Sequence, residues 1–311
     1  KIIDAQGAEL TYETDGQTFH LALSFESQGG APFFGQPLFT VEVREDQVRG
    51  QVSSSRVFVD NGGGVDKKNE FLALVDHYEV TTTPCDGVAL LQIDETFLPT
   101  NSNAAIEAIP SYHTEQLKER EGNVIWTIYL KNGDTLRLRH TVKITRVPVV
   151  TLTENDYPMA TVDDLNVLLD TLAHEADRKS VYILQLPAVT YEGGLTMKNF
   201  CCDLVGSEGG TTFTGTVTIA TRGIHPSNIT NVRFVGDGTG IGLSASEGAF
   251  LHRCTFENWE IGAYGGLGSW VNATGCTFRG NGVGLWLDNR GGATCSGSYY
   301  GDSVYEDNGI A

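Results

Sequence analysis

No run of 18 apolar residues occurs in this chain of 311, so no segment reads as a transmembrane helix. Lysine is missing after Lys198, and basic residues number 21 against 39 acidic ones, a formal charge of −18. An acidic surface repels phosphate, which excludes nucleic-acid binding through a general basic face. The six cysteines (Cys85, Cys201, Cys202, Cys254, Cys276, Cys295) form no C-x-x-C pair and have no zinc spacing with histidine. His174-Glu175 lacks the second histidine of a zinc-protease helix. No charged-then-apolar leader precedes Lys1, so any signal peptide has been removed or was never there; the expected location is extracellular or the cell surface.

What is abundant is glycine, and it is unevenly placed. Asn231 to Ala311 holds 18 of the 37 glycines. The same region repeats a phrase: CTFENWEIG begins at Cys254 and CTFRGNGVG at Cys276, 22 residues later. Taking the phenylalanine as anchor, one column reads Leu204, Phe234, Phe256, Phe278 and Tyr305. Two residues earlier a second column reads Cys202, Val232, Cys254, Cys276 and Ser303. Apolar and polar residues alternate around these columns, the mark of a strand with one buried face. Strands recurring every 22 to 30 residues are too close for β-α-β units with full helices. They fit a solenoid of short parallel strands, with each coil stacked about 4.8 Å from the next. Cys202, Cys254 and Cys276 then read as small core filler, not as disulfides or ligands. Asn281 and Asn308, three residues after their anchors, read as turn residues able to stack along the axis.

The pattern C-x-F, then Asn, then Gly-[Val/Ile] resembles the repeats of the pectin lyase-like superfamily of single-stranded right-handed parallel β-helices. The segment from Ala160 is similar to the opening of such helices. Leu165, Leu168, Leu169 and Leu172 lie at helical spacing, with Thr161 or Asp163 available as N-cap. PAVTYEGG and VGSEGG follow. The resemblance implies a cap helix over about 161–177 and coils from about 181, within a domain spanning 153–311. Because the pattern stops at NGIA, further coils or a partner are expected to cover that end.

Residues 1–152 carry no repeat. QTFHLALSFE, LFTVEVRED, GQVSSSRVFVD, FLALVDHYEV, GVALLQIDETFL, NVIWTIYL and DTLRLRHTVKITRV read as strands, separated by breaks such as DNGGGVDKKNE. This predicts an antiparallel sandwich or barrel, with Asn132-Gly133 turning a hairpin. The fold class is therefore all-β: a sandwich followed by a parallel β-helix with a capping α-helix.

Candidate chemistry is sparse. The N-T-D, D-D, H-G and R-I-K signatures of the resembling hydrolases do not occur in Asn199 to Ala311, and Asp163-Asp164 reads as first-turn helix acidity. GDGTGIG at Gly236 to Gly242 has no following βαβ unit or lysine, so it is no phosphate loop. A calcium-assisted lyase would draw on Asp288 and Arg290 in GLWLDNRGG. Trp259, Tyr264, Trp270, Trp286 and Tyr299 lie outside the inward columns, where rings stack on sugar faces. The expected function is non-catalytic binding of a carbohydrate or another cell-surface ligand. The alternatives are a polysaccharide lyase or glycoside hydrolase acting on acidic polysaccharide, and a phage tail-fibre-like protein.

Overall fold

The computed structural model describes residues 1–26, 33–46, 49–51, 54–60, 65–83, 90–94, 104–113, 120–177, 179–221, 226–288, 292–294 and 301–310. The chain forms two compact units, Lys1–Val147 and Pro148–Ala311. Both are built mainly of strands. No helix among the described residues is long and apolar enough to cross a membrane.

In the first unit two sheets share one core. One sheet contains Ile2–Asp4, Leu38–Arg44, Val75–Thr83, Arg120–Leu130 and Thr135–Val147; the other is built around Gln17–Glu26, Ser54–Val59 and Ala104–His113. Side chains alternate along each strand, so Val124, Trp126, Ile128, Leu136, Leu138 and Val142 meet Phe19, Leu21, Leu23 and Val57 inside. The sandwich is not wholly antiparallel. Ile2–Asp4 and Leu38–Arg44 both run parallel to Thr135–Val147. The predicted hairpin is present: Leu130 N–H bonds the Asp134 carbonyl at 2.8 Å, and Gly133 takes the left-handed position at φ 86°. DKKNEFLAL, read as a break and the start of a strand, is instead a helix, Val65–Leu74. Lys, Glu, Leu and Ala favour helix, and a four-residue apolar run cannot distinguish the two by period. The helix buries Phe71 against Phe19, ring centroids 5.7 Å apart.

One polar chain crosses this core. Trp126 Nε1 donates to Ser55 Oγ at 2.9 Å, and Ser55 Oγ lies 2.9 Å from His140 Nε2. All three side chains are fully buried. Trp126 and His140 belong to one sheet and Ser55 to the other, so the chain joins the two layers. Burial drives the His140 pKa down to about 3, so the ring is held neutral.

The second unit is a parallel β-solenoid of about five turns. Its helix, Val162–Glu175, starts at Thr161 through a capping box: Asp164 N–H donates to Thr161 Oγ1 at 3.1 Å and Thr161 N–H to Asp164 Oδ2 at 2.9 Å. Leu165, Leu168, Leu169 and Leu172 face down into the cluster that contains Leu195 and Met197, closing the core over the first coil. Each coil contributes one strand to each of three sheets. The first sheet runs from Val149–Leu152 through Val181–Gln185 to Gly292–Thr294. The second runs from Thr190–Tyr191 to Val304–Glu306, and the third from Leu195–Met197 to Val283–Leu287.

The aromatic ladder lies in the second sheet, and it is longer than its sequence column. It runs Tyr191, Phe213, Phe234, Phe256, Phe278, Tyr305, with centroids 4.7, 6.0, 4.5, 4.8 and 4.9 Å apart. Leu204 is not its first rung; it belongs to the first sheet, beside Leu184 and Ile229. The cysteine column changes with it. Thr211, not Cys202, aligns with Val232. Cys202, Cys254 and Cys276 are nonetheless buried free thiols. Burial pushes Cys202 and Cys254 well above the usual thiol range, so they are inert filler. Cys85 and Cys295 lie outside the described residues.

Corners between sheets are set by left-handed residues. Asn231, Arg253 and Gly275 (φ 57°, 52°, 62°) turn the chain from first sheet to second, and Asn258, Gly280 and Asp307 (φ 57°, 64°, 52°) from second to third. Asn281 and Asn308 do stack. Asn281 Nδ2 donates to Asn308 Oδ1 and to the Phe256 carbonyl, both at 3.0 Å, while its Oδ1 accepts Trp259 N–H at 3.0 Å.

Candidate functional site: the outer face of the third sheet

Each third-sheet strand turns alternate residues outward. Leu243, Ala263 and Leu285 face the core, so Ser244, Tyr264 and Trp286 face away from it. The register extends this outer column to Thr196, Thr218, Ser244, Tyr264 and Trp286 on five successive coils. Tyr264 and Trp286 are therefore neighbours across one coil spacing, about 4.8 Å. Trp286 leaves 49% of its surface open. Tyr264 Oη donates to Asp288 Oδ2 at 3.2 Å. Desolvation, then this bond and the Asp288 charge, hold the phenol above its usual pKa, so it remains a donor. Asp288 is itself anchored by its backbone N–H on the Gly265 carbonyl at 2.8 Å.

Three of the expected site residues thus come together: Tyr264, Trp286 and Asp288. Trp270 does not join them. It is half exposed on the outer face of the first sheet, where its Nε1 donates to Asn272 Oδ1. Trp259 is a core residue, 5% exposed, and cannot reach a ligand. Its ring fills space left by glycines on the preceding coil. A Cβ on Gly236 would lie 2.5 Å from the ring, and one on Gly242 would lie 3.0 Å from Nε1. GDGTGIG is therefore the seat of Trp259. Arg290 and Tyr299 lie outside the described residues.

The second sheet presents a different outer face. Glu257 is bound by Arg233 Nη2 at 2.9 Å and by Arg279 Nη2. Desolvation acts to raise the Glu257 carboxyl, but the two guanidinium hydrogen bonds outweigh it and hold it below the usual range. Arg279 is the register partner of Glu257, 22 residues on, whereas Arg233 pairs with Thr255 and reaches Glu257 diagonally, so the 22-residue period held the signal for Arg279 alone. On the first sheet, His252 Nδ1 lies 2.8 Å from Thr274 Oγ1, and desolvation lowers the pKa of that ring. Among the described residues no three His, Cys, Asp or Glu side chains converge as metal ligands.

Chemically, the third-sheet face offers a ring open to stacking, a phenol pinned by a carboxylate, and a line of hydroxyls. Comparison of the chain with family models, with curated proteins and with solved structures finds no match.

Proposed function

We propose that the protein is a non-catalytic, extracellular or cell-surface carbohydrate-binding solenoid of the pectin lyase-like kind. Its binding surface is the outer face of the third sheet. The observation that carries this reading is the in-register pair Tyr264 and Trp286, with Asp288 bonded to Tyr264. Aromatic faces stack on the C–H faces of sugar rings, while a fixed carboxylate accepts their hydroxyl protons. Strands hold both rings, and Asp288 directly follows Val283–Leu287, which limits the entropy lost on binding.

The test is retention on a panel of immobilised polysaccharides, wild type against Trp286→Ala. Trp286 is half exposed, so the variant keeps the fold. The reading predicts retention on at least one polysaccharide and its loss in the variant. Equal retention of both proteins, or none of either, contradicts it. Release of unsaturated products from polygalacturonate or alginate with Ca²⁺ would favour the lyase alternative.

A further inference from the structure

We infer that the ligand is a neutral glycan lying along the solenoid axis, one sugar ring per coil. This rests on the reading above that the third-sheet face binds carbohydrate.

Direction follows from where the binding groups repeat. Along the axis the outer column reads Thr196, Thr218, Ser244, Tyr264, Trp286 without a gap. Across the two aromatic coils there is little to hold a ligand. Tyr264 is flanked on its own face by Gly262 and Gly266, and Trp286 by Gly284 and Asp288. A chain crossing the Tyr264 coil would meet one ring between two glycines, and one crossing the Trp286 coil would meet that ring and Asp288 alone. A chain along the axis meets a new side chain at every coil. The spacing of hydrogen-bonded strands, about 4.8 Å, is close to the length one pyranose adds to an extended chain, and the buried rings of these coils lie 4.5 to 6.0 Å apart.

Charge selects the class. All five column residues are uncharged, and hydroxyls both donate to and accept from sugar hydroxyls. The charged group hydrogen-bonded to the column is a carboxylate, Asp288, while Lys198 stands exposed beyond Thr196 at the opposite end. The carboxylate accepts from a neutral sugar and repels a uronate or sulfate, as does the chain's charge of −18. The arginines of the neighbouring sheet, Arg233 and Arg279, are already engaged by Glu257.

The experiment is calorimetric titration with β-1,4-linked glucose, mannose and N-acetylglucosamine oligosaccharides of two to five units, and with oligogalacturonates of the same lengths. Wild type, Trp286→Ala and Thr218→Val are compared. Affinity is expected to rise with each unit of at least one neutral series. Trp286→Ala should weaken every length by about tenfold. Thr218→Val, three coils from Trp286, should weaken only the four- and five-unit ligands. Tighter binding of oligogalacturonate overturns the neutral-ligand inference while leaving carbohydrate binding intact. An equal effect of Thr218→Val on the disaccharide overturns the axial path. Failure of every series to bind overturns the inference and the carbohydrate reading together.

Discussion

Acid should loosen the first unit through one side chain, His140. Its ring is fully buried in the chain Trp126–Ser55–His140, and burial lowers its pKa from 6.5 to about 3. The unfolded chain takes up the proton near pH 6.5, whereas the folded chain resists until about pH 3. The stabilisation is therefore complete above pH 6.5 and is lost as pH falls towards 3. One proton of linkage is worth about 1.4 kcal/mol per pH unit, so lowering pH from 7 to 5 removes about 2 kcal/mol. Against a typical domain stability of about 5–15 kcal/mol, that is a visible fraction. Urea unfolding at several pH values measures it. Trp126 is the sole tryptophan in residues 1–147, and 5-fluorotryptophan labelling separates its ¹⁹F signal from the three in the solenoid. His140→Gln should be less stable at pH 7 but flatter with pH over this range. Equal pH slopes in wild type and His140→Gln would refute the assignment.

Three substitutions test the solenoid. Phe256→Ala removes a rung stacked at 4.5 and 4.8 Å on its neighbours and should lower stability by about 3–5 kcal/mol in denaturant unfolding. Asn281→Ala strips a buried partner from Trp259 N–H, the Phe256 carbonyl and Asn308, for about 2–3 kcal/mol by the same measurement. Gly242→Ala would place a Cβ 2.6 Å from the Gly262 carbonyl oxygen, which is backbone and cannot swing away. A loss of about 1–3 kcal/mol is expected, with a lowered melting temperature as the readout.

The solenoid was legible in the sequence because identical coil positions demand similar residues. Phe234, Phe256 and Phe278 occupy one position at a constant step, and the leucines of 165–172 have only one helical face on which to meet. The ladder's beginning was not legible. Phe213 precedes Phe234 by 21 residues, and threonine, not cysteine, stands two before it, so a search for C-x-F at 22 passes over it. Trp259 misled for a related reason. It stands 22 before Asn281, at the same corner, but its bulk is accommodated by Gly236 and Gly242 on another coil. A cavity made by a neighbour's missing side chain leaves no local trace. The outer column was half legible: Tyr264 and Trp286 could be named singly, while their pairing across coils needed the strand register. In the first unit, alternation marked the central strands but passed over Glu9–Thr14 and Ala104–His113 and misread FLAL, and parallel partners such as Ile2–Asp4 carry no sequence cue.

The most direct test of the central claim is a ¹⁹F titration of fully 5-fluorotryptophan-labelled protein with a polysaccharide fragment that it retains. Trp286 should shift on saturation, while the buried Trp126 and Trp259 should not. A saturable titration that leaves the Trp286 resonance unmoved would place binding elsewhere and contradict the account.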